Sequence, residues 1–118
     1  IKVFNKGNLS RDFTYIDDIV DGVVNTLVKD SKNDSLYKLY NIGNGKPVQL
    51  LDFIASLEKV LDISAIKKML SMQAGDVHQT FADTTGLAHD YNYKPQITVD
   101  KGIKEFVLWY KSFYKNNN

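Results

Sequence analysis

The stretch best suited to chemistry is Arg11-Asp12-Phe13-Thr14-Tyr15-Ile16-Asp17-Asp18-Ile19-Val20. Arg11 opens a short strand beside the loop Lys6-Gly7-Asn8-Leu9-Ser10. A guanidinium fixed at a strand end offers a planar fork of N–H donors, which suits a phosphate. It suits better a surface ion pair with Asp12 or Asp17, which is the reading the residues alone favour. Asp17 and Asp18 stand where a helix takes an N-cap and first-turn acids. There a carboxylate accepts orphan N–H groups and complements the positive dipole end. Neighbouring acids at a helix start point apart, so capping is expected rather than paired acid–base work.

Other chemistry-bearing groups are weaker. Gly43-x-Gly45 lies between a strand and a helix, as a dinucleotide loop would. The full fingerprint needs a third glycine where Val48 stands, and Pro47 removes an N–H. An ordinary strand-to-helix turn is the expectation. His78 and His89 show no metal-ligand spacing, and Ser10 and Ser71 have no partnered histidine in the pattern. Trp109, Tyr110, Phe113 and Tyr114 could stack on a sugar, but their helical spacing points to core packing.

The elements that must position these groups follow from periodicity. Ile1 to Phe4 reads as a strand, and Ile16, Ile19, Val20, Val23, Val24, Leu27 and Val28 mark one buried face of a helix. The polar run from Lys29 to Ser35 ends it. Leu36 to Ile42 alternates and is aromatic-rich, so a strand is expected there. Leu50, Phe53, Ile54, Leu57, Val60 and Leu61 mark a second helix that stops near Asp62, and Ile66 to Met72 holds a short strand. Gly75 to Thr80 is expected as extended loop, and Thr84 to Asp90 as a short helix capped by Thr84 or Asp83. Thr98 caps a last helix with Ile103, Phe106, Val107, Tyr110, Phe113 and Tyr114 as its stripe, followed by a frayed Asn116 to Asn118 tail. The order predicts an open mixed α/β domain over residues 1–118.

Composition bounds the partners. The 118 residues are 43% hydrophobic and 25% charged, as in an ordinary globular domain. A net charge of +1 gives no field for nucleic acid or an anionic membrane. The absence of cysteine excludes a disulfide scaffold and a thiolate metal site, and fits a cytoplasmic location. No apolar run approaches the roughly 20 residues of a membrane span. The chain opens on Ile1 inside a strand, which suggests a piece of a larger protein.

The Arg11 to Val20 run resembles the motif that opens the C-terminal part of NAD-dependent nucleotide-sugar epimerases and dehydratases, the extended short-chain dehydrogenases. Further segments match in order: Tyr40-Asn41-Ile42-Gly43-Asn44 with Pro47-Val48, Met72-Gln73-Ala74-Gly75-Asp76-Val77, Thr80-Phe81-Ala82-Asp83, and Tyr93-Lys94-Pro95 through Tyr110. The Met-Gln-x-Gly-Asp-Val form is similar to that of UDP-glucuronate 4-epimerases of capsule and surface polysaccharide biosynthesis. The resemblance implies a small mixed α/β C-terminal substrate-binding domain of a Rossmann-type epimerase, with the Rossmann cofactor domain lying elsewhere.

It also implies roles. Arg11 would contact the diphosphate of a UDP-sugar, Lys2-Val3-Phe4 would lie against the uracil, and Gln73 to Asp76 would close over diphosphate and ribose. NAD would belong to an N-terminal Rossmann domain of the same protein. The family's Tyr-x-x-x-Lys pair, which supplies the general base, has no match here, since no Tyr is followed by Lys four residues on. The chain alone is therefore expected to be inactive and to hold no NAD. In the parent reaction the sugar C4 hydroxyl is oxidised with NAD, the intermediate turns over, and the hydride returns to the other face. Three departures stand out. UDP-galactose 4-epimerases carry a second arginine near Gln73, a tyrosine at the place of Thr80 and commonly a proline at that of His78. Glutamine cannot neutralise phosphate, which favours the glucuronate-type branch. Related UDP- or dTDP-sugar epimerases, 4,6-dehydratases, or a non-catalytic binding module are the alternatives. A domain separated from its partner exposes apolar surface and a strand edge, so association between copies through Leu36 to Ile42 is also expected.

Overall fold

The computed structural model describes residues 1–30 and 37–115. The elements are β1 Lys2–Val3, β2 Ser10–Arg11, α1 Ile16–Val28, β3 Val48–Gln49, α2 Leu50–Leu61, β4 Lys68–Met69, α3 Thr85–Tyr91 and α4 Val99–Lys115. β1 pairs in parallel with β4, and β2 pairs antiparallel with β3 in the register Ser10↔Gln49 and Arg11↔Val48. An isolated parallel bridge joins Ser10 to Gln79. The fold is mixed α/β, as the sequence pattern predicts.

Both long helices beyond α1 form where their signals place them. α2 ends at Asp62, whose left-handed backbone (φ 55) turns the chain out. Thr98 Oγ1 accepts the Lys101 N–H at 3.3 Å and starts α4. For α3, Thr84 holds the cap position without a side-chain bond, while Asp83 accepts the Thr85 N–H at 3.0 Å. α2 lies against α4, and the core gathers Val3, Leu9, Ile54, Leu87, Tyr93, Ile103 and Val107.

Three expectations need correction. The first is the buried face of α1. Its inward residues are Asp18, Gly22 and Asn25, while Ile16, Val20, Val23, Val24, Leu27 and Val28 are exposed. The inward side is held by Asp18, whose two carboxylate oxygens accept the Gln96 and Ile97 N–H groups at 2.8 and 3.0 Å, while the apolar stripe on the other side is left exposed. Asp17 and Asp18 stand in the first turn of α1 as expected, but the N-cap position is Tyr15, and Asp18 acts as a long-range brace. Second, no ladder includes Tyr37 to Ile42, which runs without strand pairing among the described residues; Leu36 lies outside them. Alternation makes a segment extended, but a strand also needs a neighbour to bond with. Third, α4 buries Ile103 and Val107, whereas Phe106, Trp109, Tyr110, Phe113 and Tyr114 are all about half exposed. The core-packing reading holds only for the first half of that helix. The run from Ser31 to Ser35 and the tail Asn116 to Asn118 lie outside the described residues.

The shape is extended. The radius of gyration is 17.4 Å, against roughly 13.5 Å for a compact domain of this length. A cavity of about 370 Å³ between the β2–α1 link, α2 and α4 is lined by Phe13, Tyr15, Phe53, Ile97, Ile103 and Phe106, among others.

Candidate functional site

Arg11 ends β2, and the segment from His78 to Thr80 runs beside it. The Ser10 N–H donates to His78 O at 2.9 Å, and the Thr80 N–H donates to Ser10 O at 3.2 Å. This fixes the arginine against the last residues of the Gln73–Asp76 turn. Arg11 Nη2 donates to Asp76 Oδ1 at 2.7 Å, and Nη1 donates to Ser10 O at 2.8 Å and His78 O at 3.3 Å. The ion pair is partly exposed, with side chains 23% and 32% accessible. Arg11 therefore has an acidic partner, but not either of those its neighbours in sequence suggest.

Asp12 points the other way and assembles the floor of the site. Its Oδ2 accepts the N–H groups of Gly45 and Ala82, both at 3.0 Å, and its own N–H donates to Thr80 Oγ1 at 3.1 Å. Asp12 Oδ1 is buried without a protein partner. Thr14 Oγ1 accepts the Asn44 N–H at 3.1 Å. Gly43 is required by this closure, since a Cβ there would stand 2.4 Å from the Ala82 Cβ and 3.1 Å from Asp12 Oδ2. The Tyr93 hydroxyl donates to Gly43 O at 3.0 Å, and burial, reinforced by Asp18, Asp21 and Asp12, pushes its pKa up. The amides of the Gly43–Gly45 turn thus serve Asp12 and Thr14, as a structural turn requires.

The remaining sequence-derived site residues are placed unequally. Gln73 is exposed and gives its carbonyl to the Asp76 N–H at 3.2 Å, so Gln73 and Asp76 form one turn. Lys2 is exposed, Phe4 half-buried, and Val3 is 1% exposed with its side chain in the core. Val3 can offer a ligand only backbone, and its carbonyl already accepts the Leu70 N–H at 2.8 Å. Beyond Phe4 the chain enters a left-handed turn (Asn5 φ 46, Lys6 φ 51, Gly7 φ 83). There Asn5 Nδ2 lies 3.4 Å from His78 Nδ1, so the β1 turn and the segment after Asp76 adjoin.

Sequence reasoning missed a second polar centre. Asp90, 2% exposed, accepts from Lys38 Nζ and the Tyr40 hydroxyl, both at 2.6 Å, and pairs with His89 Nδ1 at 2.7 Å. The Lys38 ammonium, then Tyr40 and His89, hold its carboxyl far below the usual carboxylate range against the opposing effect of burial. The one available signal was the i, i+2 spacing of Lys38 and Tyr40, which puts both on one side of an extended chain. No group of His, Cys, Asp and Glu among the described residues could hold a metal ion. No described helix is long and apolar enough to cross a membrane.

No protein-family model matches the chain. An uncharacterised protein of Methanocaldococcus jannaschii is 46% identical over 110 residues, covering 93% of this chain and 32% of that protein. Protein CapI of Staphylococcus aureus is 37% identical, covering 98% of this chain and 39% of CapI. UDP-glucuronate 4-epimerase 5 of Arabidopsis thaliana is 38% identical, with 93% and 28% covered. Among solved structures, UDP-glucuronic acid 4-epimerase from Bacillus cereus, in complex with UDP-glucuronic acid and NAD, matches with a TM-score of 0.78 and 34% identity over 87% of this chain and 32% of that one. UDP-glucose 4-epimerase from Thermotoga maritima, with UDP-glucose, matches with a TM-score of 0.84 over 97% and 35%; at 19% identity this shows the fold alone. The chain spans about a third of the length of the relatives it matches. In sequence and in fold it corresponds to the C-terminal part of nucleotide-sugar epimerases, and it resembles the UDP-glucuronate 4-epimerases in particular.

Proposed function

We propose that this chain is the UDP-sugar-binding domain of an NAD-dependent 4-epimerase acting on UDP-glucuronate, in surface-polysaccharide biosynthesis in the cytoplasm. The observation that carries the reading is Arg11. It stands at the mouth of β2 with its Nη1 held by two carbonyls and its Nη2 edge turned to the Gln73–Asp76 turn. It does so in a chain 34% identical to a solved UDP-glucuronic acid 4-epimerase. A guanidinium oriented in this way is prepared for the forked contacts a diphosphate offers. Asp76 supplies an acceptor for ribose hydroxyls, and the β1 strand with Lys2, Val3 and Phe4 supplies backbone and an aromatic wall for the base. Gln73 leaves Arg11 as the cation of the diphosphate site.

The Gly43–Gly45 turn does not fit a dinucleotide. The one Gly-x-Gly turn has the N–H groups of Asn44 and Gly45 already bonded to Thr14 and Asp12. NAD therefore belongs to the N-terminal Rossmann domain of the parent protein, and the work of this chain is to bind the nucleotide and orient the sugar toward it. The apolar face of α1 and the second half of α4, exposed here, suit the cover that such a domain provides.

The test is conversion of UDP-glucuronate to its C4 epimer by the full-length protein, with residues 1–118 alone assayed beside it. Turnover by the full-length protein and none by the chain alone is expected. Turnover by the chain alone, or a full-length protein that binds no UDP-sugar, would contradict the reading.

A further inference from the structure

Resting on the nucleotide-sugar reading above, we propose that Asp76 is a positioning residue. It holds Arg11 against the Gln73–Asp76 turn and yields it to the diphosphate on binding. The guanidinium is bound unevenly. Nη1 is fixed to the body of the domain through Ser10 O and His78 O, and those residues are themselves joined by the Ser10 N–H to His78 O bond. Nη2 meets a single carboxylate oxygen, Asp76 Oδ1, which also accepts the Val77 N–H at 2.8 Å. The fork is therefore half-used by its own protein. A diphosphate, with several oxygens of higher charge, can fill it. Nη2 carries two N–H groups, but a phosphate seated on it beside the carboxylate meets like-charge repulsion, which favours exchange over sharing.

The segment that carries Asp76 is built to let go. Leu70 is pinned by its N–H to Val3 O at 2.8 Å and by the Lys6 N–H to Leu70 O at 3.0 Å, and His78 is pinned to β2. Between these anchors Gln73 to Val77 is exposed, and among the described residues the Arg11–Asp76 pair is the side-chain tie between this turn and the body. Gly75 sits at φ +81 with nothing within 4 Å of where a Cβ would be, so the turn can pivot into open space. Arg11 need not move when the carboxylate leaves, since its Nη1 bonds remain. The released Asp76 then becomes an acceptor for a ribose hydroxyl, and one contact exchange couples recognition of the diphosphate to recognition of the sugar beside it.

The experiment is calorimetric titration of the full-length protein with inorganic pyrophosphate and with UDP, in the wild type, Asp76→Asn, Arg11→Ala and the double variant. Asp76→Asn is expected to raise pyrophosphate affinity roughly fivefold to tenfold, the scale of an exposed ion pair. UDP is expected to gain less or to lose, because its ribose acceptor has gone. The pyrophosphate gain is expected to vanish in the Arg11→Ala background. Asp76→Glu, which keeps the charge, is expected to show no such gain. An unchanged or weaker pyrophosphate affinity in folded Asp76→Asn would overturn the exchange while leaving the UDP reading intact. A gain that survives in Arg11→Ala would show plain charge repulsion and would overturn it too. A wild type that binds neither probe would remove the nucleotide-sugar reading, and the exchange with it.

Discussion

The two sides of this molecule are finished to different degrees. Around Arg11 and Asp12, three segments distant in sequence are closed by directed bonds. The Asp12 carboxylate joins residues 12, 45 and 82, and Asp18 reaches residues 96 and 97. On the far faces of α1 and α4, Val20, Val23, Leu27, Trp109 and Phe113 stand open. Buried carboxylates bonded to backbone N–H groups hold a shape by themselves, because each lost bond leaves a desolvated donor. An open apolar stripe holds nothing until something covers it. Under the proposed reading, the chain carries its own site geometry, and its exposed apolar faces are where a covering surface would add stability.

The contrast breaks if the braces prove dispensable. Asp18→Ala strips two backbone N–H groups of their acceptor at a position 5% exposed. A loss of about 3 kcal/mol or more in denaturant unfolding is expected. Leu87→Ala, at 1% exposed, is expected to cost about 2–5 kcal/mol. Leu27→Ala, at 78% exposed, is expected to fall within about 0.5 kcal/mol in the chain alone. In the full-length protein the Leu27 change is expected to cost more, and an equal small effect in both would deny that α1 is covered there. Light scattering supplies a further check. The isolated chain is expected to self-associate through these apolar faces, and a clean monomer at high concentration would count against it.

Acid sharpens the same comparison. Asp90 and Glu58 both have folded pKa values depressed, Asp90 first by Lys38 and Glu58 first by Lys67. A depressed carboxylate stabilises the fold above its unfolded pKa of about 4. That contribution is lost as pH falls through the lower folded values. Stability is expected to be level on this account above about pH 5 and to drop on further acidification, with Asp90→Asn flattening the drop. An acid transition unchanged in that variant would remove Asp90 as a brace between α3 and the Lys38–Tyr40 segment.

Much of the local structure was legible from residues. The bounds of α2 and the start of α4 followed from apolar spacing with Asp62 and Thr98 as stops, and the Gly43–Pro47 turn followed from its composition. The faces were not legible. Periodicity in α1 reports that a stripe is apolar, and says nothing of whether its cover lies in the same chain. Asp18 looked like a cap because capping is local, whereas its true partners lie 78 and 79 residues away. The strand expected over Leu36 to Ile42 failed for the same reason, since alternation cannot supply the neighbouring ladder. At the site, Arg11 was singled out by its place in the sequence and Asp76 by resemblance, but their pairing needed the His78–Thr80 segment to run beside β2, and no local signal encodes that.

The central claim is that Arg11 anchors a UDP diphosphate, and titration of UDP into full-length wild type and Arg11→Ala tests it most directly. Loss of a charge-assisted forked contact is worth about 1.5–3 kcal/mol, roughly one to two decades in affinity. Arg11→Lys is expected to restore only part of this, since an ammonium cannot reproduce the fork. Circular dichroism is expected to show both variants folded, because Arg11 is partly exposed and lies outside the core. A folded Arg11→Ala protein that binds UDP as tightly as the wild type would contradict the account.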